Sequence, residues 1–210
     1  MLASMKREGD RSKAARGGGM PPSQAPQTAV KLIAFLGNPG RQYARTRHNV
    51  GWMVADELTS GDGAAWKEKF HGVFLKRRET TLLKPHTFMN RSGQSVQSAL
   101  SFFALDTTEL AVVHDDLETP FGTVALTWGG GHRGNNGVRS VMTQLGDSAF
   151  WRLRIGVGRP PERRKPGDWL LERFSPEEEA HLPSIVAAAA AMVGEYRNRP
   201  RVVLRHIPSI

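Results

Sequence analysis

The chain has 210 residues, no cysteine, 39% hydrophobic and 23% charged residues, and a formal charge of +9 at neutral pH. That length suits one domain with a good core, and the lack of cysteine excludes disulfides and thiolate metal sites. No apolar run approaches the roughly 20 residues that span a bilayer, so a soluble protein is expected, and the basic excess points to an anionic partner such as RNA.

Residues 1–29 carry Lys6, Arg7, Arg11, Lys13 and Arg16 against Glu8 and Asp10, followed by Gly17-Gly-Gly19 and several prolines. They read as a disordered basic tail or a mitochondrial targeting segment; the two acids and the lack of a long amphipathic stripe weaken the second reading. Leu32 to Leu36 is a continuous apolar run, the pattern of a strand buried on both faces, and Gly37-Asn-Pro-Gly40 stops it. Asn38 then lies just past a strand end, where open α/β sheets place ligands. A polar loop from Arg41 to Asn49 contains Tyr43 and His48, and Val50, Met53, Val54 and Leu58 continue at helical spacing.

Val73-Phe-Leu75 and Thr81-Leu-Leu83 predict a hairpin, and Phe88-Met-Asn90 a loop. Ser92 is expected to cap a helix through Val96, Leu100 and Phe103. Leu110 to Val113 predicts a buried strand ending at His114-Asp-Asp116, Thr123 to Trp128 a strand, Asn136 to Leu145 a helix, and Leu153 to Val157 a strand in which Arg154 faces solvent. Ser175-Pro-Glu-Glu178 opens a last helix that Pro183 should kink or restart. The alternation predicts a single α/β domain over 30–199, a mixed, mostly parallel twisted sheet flanked by helices, with a C-terminal tail over 200–210.

His48 is the candidate general base, since imidazole deprotonates water near neutral pH, and an aspartate from the His114-Asp-Asp116 strand end, 115 or 116, is its candidate orienting partner. No serine or cysteine nucleophile pattern is present, so direct attack by water is expected. Asn38, Asn90 and Asn136 supply amides able to donate to an oxyanion and accept from peptide N–H groups. Phe88, Met89 and Tyr43 offer apolar and stacking surface for a base or peptide. The Gly129-Gly-Gly131 loop leading to the helix at Asn136 is neither a P-loop nor a dinucleotide fingerprint. The seven histidines show no paired ligand spacing, so no metal and no cofactor is expected, and nothing demands more than a monomer.

Leu36-Gly-Asn-Pro-Gly40, Thr46-Arg-His-Asn49, Phe88-Met-Asn90, His114-Asp-Asp116 and Gly129 to Gly137 resemble, in order, the motifs of bacterial-type peptidyl-tRNA hydrolases from about Lys31 to Tyr196. Arg133 to Val141 and Leu171 to Pro176 look most like the eukaryotic members. The resemblance implies hydrolysis of the ester between a peptide and the 3′ end of tRNA, with His48 as base, Asp115 as its partner and Asn38 discriminating the blocked amino group. It also implies that Asn90 and Asn136 bind the peptide and the tRNA terminus, and that Arg154 meets a tRNA phosphate. A mitochondrial or cytoplasmic location would suit that substrate. Departures are Phe35 for a common glycine, Asn135 for a common histidine, an arginine at 133, and Ala125 and Thr127 where bacterial relatives place a second phosphate-binding cation. These keep alive a non-catalytic RNA-binding protein on the same fold, and a nucleotide-binding metabolic enzyme as a weaker third reading.

Overall fold

A computed structural model describes residues 25–61, 63 and 65–208, so residues 1–24 of the expected basic tail lie outside the described residues. The described residues build an eight-stranded sheet in the order β2-β3-β4-β1-β5-β7-β6-β8. The strands are β1 (Leu32–Phe35), β2 (Lys67–Lys69), β3 (Gly72–Arg77), β4 (Thr80–Pro85), β5 (Leu110–Asp116), β6 (Thr123–Trp128), β7 (Trp151–Gly156) and β8 (Val203–His206). The central strands β4, β1, β5 and β7 are mutually parallel. Antiparallel wings flank them, so only β3 and β6 oppose the other strands, giving the expected mixed, mostly parallel sheet.

Period-2 alternation divides each central strand between two cores. Ile33 and Phe35 pack with residues of α1 (Val50–Leu58) and α5 (Pro176–Tyr196), whereas Leu32, Ala34 and Leu36 pack with α2 (Ser92–Phe103) and α3 (Asn136–Leu145). Burial on both sides explains why β1 reads as an unbroken apolar run. Gly51 lets α1 sit directly on the end of β1, since a Cβ there would lie 2.5 Å from the Leu36 carbonyl oxygen. That contact brings the turn just before α1, which carries His48, over the C-terminal ends of β1 and β5.

The structure corrects four expectations. Residues 203–206 of the expected tail form β8, which pairs with β6 and satisfies backbone groups that would otherwise be a bare edge. Ser92 is the first residue of α2 rather than its cap, because a 3₁₀ turn over Met89–Arg91 runs straight into the helix; its hydroxyl is buried without a partner. Helix α5 does not restart at Pro183 but continues through it, with Leu182, Ile185 and Val186 packed around that turn. Arg154 is buried, 4% exposed, because its side chain is enclosed by Asp116, Thr127 and the glycine-rich loop after β6 rather than by water. A short helix the sequence reading did not anticipate, α4 (Pro166–Leu171), starts with proline at its first position.

Candidate active site

The Gly-Asn-Pro-Gly corner is locked by a second amide. Asn38 N–H donates to Asn49 Oδ1 at 2.9 Å, and Asn49 Nδ2 donates back to the Asn38 carbonyl at 2.9 Å. Asn38 Oδ1 accepts from Met89 N–H at 2.8 Å. Because a backbone N–H can only donate, this fixes the amide rotamer and leaves Nδ2, a donor, for the cleft. Asn49 is fully buried in this locking role, and its one signal in the sequence is its place directly after a candidate catalytic histidine.

His48 sits in a 3₁₀ turn over Arg47–Asn49, and its Nδ1 lies 2.8 Å from Asp115 Oδ1. With Nδ1–H donating to the carboxylate, Nε2 carries a lone pair toward the cleft. Burial disfavours a charged imidazolium, but the charge and hydrogen bond of Asp115 outweigh it, so the His48 pKa lies above its usual 6.5. The choice between the two aspartates resolves by strand alternation. Asp115 meets His48, while Asp116 accepts from Glu118 N–H at 2.9 Å, Thr119 Oγ1 at 3.0 Å and the guanidinium groups of Arg133 and Arg154, each at 3.3 Å. Arg154 also donates Nε–H to Thr127 Oγ1 at 3.0 Å, so it is engaged beneath the site rather than lining it.

Asn135 completes the constellation. Its Oδ1 accepts from Gly137 N–H and Val138 N–H, both at 3.0 Å, capping α3, while its Nδ2 donates to Asp115 Oδ1 at 3.0 Å and to the Asp115 carbonyl at 3.2 Å. One amide therefore caps a helix and holds a carboxylate. In the sequence it was legible only as a departure from the motif.

A cleft of about 960 Å³ opens above these groups. It is lined by Asn38, Tyr43, His48, Phe88, Met89, Asn90 and Asn136, so the structure brings seven expected site residues together, with Asp115 behind His48. Phe88 is 55% exposed and meets Tyr43 edge to face, with ring centroids 6.5 Å apart, whereas Met89 is a buried floor residue. Asn136 Oδ1 accepts from Arg139 at 2.7 Å, which leaves its amide N–H groups free. Unanticipated lining comes from Arg91, Arg133, Arg159 and α4. Helix α4 is tied to the His48 turn by the buried Arg47, which stacks 3.4 Å from the Trp169 ring centroid and bonds the Arg173 carbonyl at 2.7 Å and Glu178 at 2.5 Å. No local sequence pattern marks Arg47 as buried, because its aromatic partners Trp169 and Phe174 come from a distant segment.

Arrangements of this kind, a buried imidazole–carboxylate pair, an oriented amide donor and an open cleft, suit water-mediated acyl transfer. Comparison with known proteins agrees. The profile of the family described as Peptidyl-tRNA hydrolase matches residues 32–201. The chain is 46% identical over 171 residues to a peptidyl-tRNA hydrolase of Deinococcus deserti, covering 78% of each chain. It is 47% identical over 165 residues to that of Anaeromyxobacter dehalogenans, covering 76% of this chain and 86% of the relative. The crystal structure of the Acinetobacter baumannii peptidyl-tRNA hydrolase superposes with a TM-score of 0.73 at 33% identity, covering 80% of this chain and 88% of that one. The chain belongs to the peptidyl-tRNA hydrolase family.

Proposed function

We propose that this chain hydrolyses the ester joining a peptide to the 3′ end of tRNA, with His48 activating the attacking water. The single observation that carries the mechanism is the 2.8 Å contact between His48 Nδ1 and Asp115 Oδ1, which leaves Nε2 as a base facing the cleft. Water gives a proton to Nε2 and attacks the ester carbonyl carbon. Asp115 stabilises the imidazolium that forms. The Asn38 Nδ2–H group donates to the oxyanion or to the carbonyl of the blocked amino group, and collapse expels the ribose oxygen, which takes the proton back from His48. Products are a peptide carboxylate and free tRNA. Asn90 and Asn136 bind peptide and tRNA terminus, and Phe88 and Tyr43 give aromatic surface to the terminal base.

Finer readings rest on the sequence. The segments 133–141 and 171–176 support a eukaryotic affiliation, and the basic residues 1–29 support a mitochondrial address, which fusing those residues to a fluorescent reporter would test. A monomeric enzyme is the simplest reading, and light scattering checks it.

Release of peptide from N-acetyl-aminoacyl-tRNA tests the reaction, with unblocked aminoacyl-tRNA as control. The reading predicts cleavage of the blocked ester and little of the unblocked one. Salt-sensitive tRNA binding with no cleavage of either would instead favour an RNA-binding protein on this fold.

A further inference from the structure

Arg133 occupies a position whose backbone argues against it. The turn His132 to Asn135 is closed by Asn135 N–H to the His132 carbonyl at 2.8 Å, and φ is positive at both central residues, 45° at Arg133 and 83° at Gly134. That is the pattern of a type I′ turn, which favours Asn-Gly or Gly-Gly and strains a long side chain. Strained residues persist where the surroundings hold them, and they cluster at ligand sites. Here Arg133 Nη1 donates to Asp116 Oδ2 at 3.3 Å, the same oxygen that accepts from Arg154 Nη1, and Arg133 lines the cleft beside Gly134 and Asn136.

The charges around this turn do not balance. Among the described residues, Asp116 is the one carboxylate ion-paired to Arg133 and Arg154. Arg152, next on the same face of β7, bonds the Ser148 and Phe150 carbonyls and has the Asp147 carboxylate near it as counter-charge. His114 beside them is neutral, since burial and Arg154 push its pKa down to about 4. Two guanidinium groups thus share one carboxylate, which leaves one positive charge over at the Asp116 cluster. It reaches solvent at Arg133, whose side chain is 50% exposed where that of Arg154 is 5% exposed. A positive charge in a cleft wall focuses its field on an approaching anion.

We propose that Arg133 binds a backbone phosphate of the RNA part of the substrate, held at the cleft rim by Asp116 and, through it, Arg154. This rests on the peptidyl-tRNA reading above. Arginine's planar fork suits a phosphate oxygen pair, and one contact should add one released counterion to binding.

The test compares wild type, Arg133→Asn and Arg133→Lys for deacylated tRNA affinity and for KM with N-acetyl-aminoacyl-tRNA over a range of salt, with Tm alongside. Arg133→Asn places Asn-Gly in the turn, so Tm should equal or exceed that of wild type. Its Kd and KM should rise about five- to tenfold, and the slope of log affinity against log salt should fall by about 0.7 to 0.9. Arg133→Lys should recover most of that slope. An unchanged Kd and slope in Arg133→Asn would overturn the inference, and so would a lower Tm with an unchanged slope, which would give Arg133 the job of holding Asp116. Wild type that neither cleaves nor binds would overturn the parent reading as well, whereas active wild type matched by Arg133→Asn overturns this inference alone.

Discussion

The side chains of His48, Asp115 and Asn135 work through the atoms that their mutual hydrogen bonds leave engaged or free. Asp115 raises the His48 pKa, and the base must be unprotonated to work, so kcat/KM should climb with pH to a midpoint above 6.5. Asp115→Asn removes both upward influences and leaves burial, so that midpoint should fall below 6.5 while the rate drops about 10²- to 10⁴-fold. A pH–rate profile of the variant with an unmoved midpoint would show that another group titrates. Asn135 does two jobs that substitutions can separate. Serine also caps a helix but is too short to reach Asp115, whereas alanine does neither. Both Asn135→Ser and Asn135→Ala should lose about tenfold in kcat, and only alanine should lose a further ~1 kcal/mol of stability by denaturant unfolding. Equal kcat in wild type and Asn135→Ser would remove the positioning role. His48, Asn38 and Asn136 were legible in the sequence because polar residues stood at strand ends beside glycine and proline punctuation. The Asn135–Asp115 bond was not, since it joins residues from different elements and no local pattern encodes it.

At the element scale, the start of α5 and the His48 turn share one carboxylate. Glu178 accepts from Ser175 N–H at 2.7 Å in a capping box, and from Arg47, whose side chain is 2% exposed. Glu178→Gln keeps the box but leaves a buried guanidinium without its counter-charge, and Glu178→Ala loses both. Removing a buried partner costs about 3–5 kcal/mol and a cap about 1 kcal/mol, so thermal unfolding should rank wild type, then Gln, then Ala. Identical Tm values for Gln and wild type would mean that the charge contributes nothing. The bounds of β6 and α3 and the hairpin of β3 and β4 could be read directly, because period, turn residues and caps are local signals. Helix α4 and the continuity of α5 through Pro183 could not. The first is six residues with a weak pattern, and the second depends on packing against a sheet formed by distant segments.

On the scale of the whole molecule, the two-sided sheet decides what is buried, and this is where sequence alone misplaced Arg154. Alternation correctly put Arg154 opposite Leu153 and Ile155, yet on that far face its side chain meets Asp116, Thr127 and the glycine-rich loop rather than water. The expected tail that becomes β8 is a similar case, since a lone four-residue strand has meaning only beside β6. Enclosing polar groups this way makes stability depend on pH. His114 is neutral in the fold with its pKa near 4, below its usual 6.5, so the unfolded chain binds more protons between those values. Its contribution is present above pH 6.5 and is lost on acidification toward pH 4, on the order of 3 kcal/mol. Unfolding midpoints measured across that window should fall more steeply for wild type than for His114→Asn, and parallel curves would contradict the assignment.

The most direct test of the central claim is single-turnover cleavage of N-acetyl-aminoacyl-tRNA by His48→Ala beside wild type, with tRNA affinity measured on the same samples. Water activation by His48 predicts that the variant binds tRNA within a few-fold of wild type and loses cleavage by at least about 10²-fold. Cleavage surviving at near wild-type rate would contradict it, and joint loss of cleavage and binding would make His48 a positioning residue rather than the base.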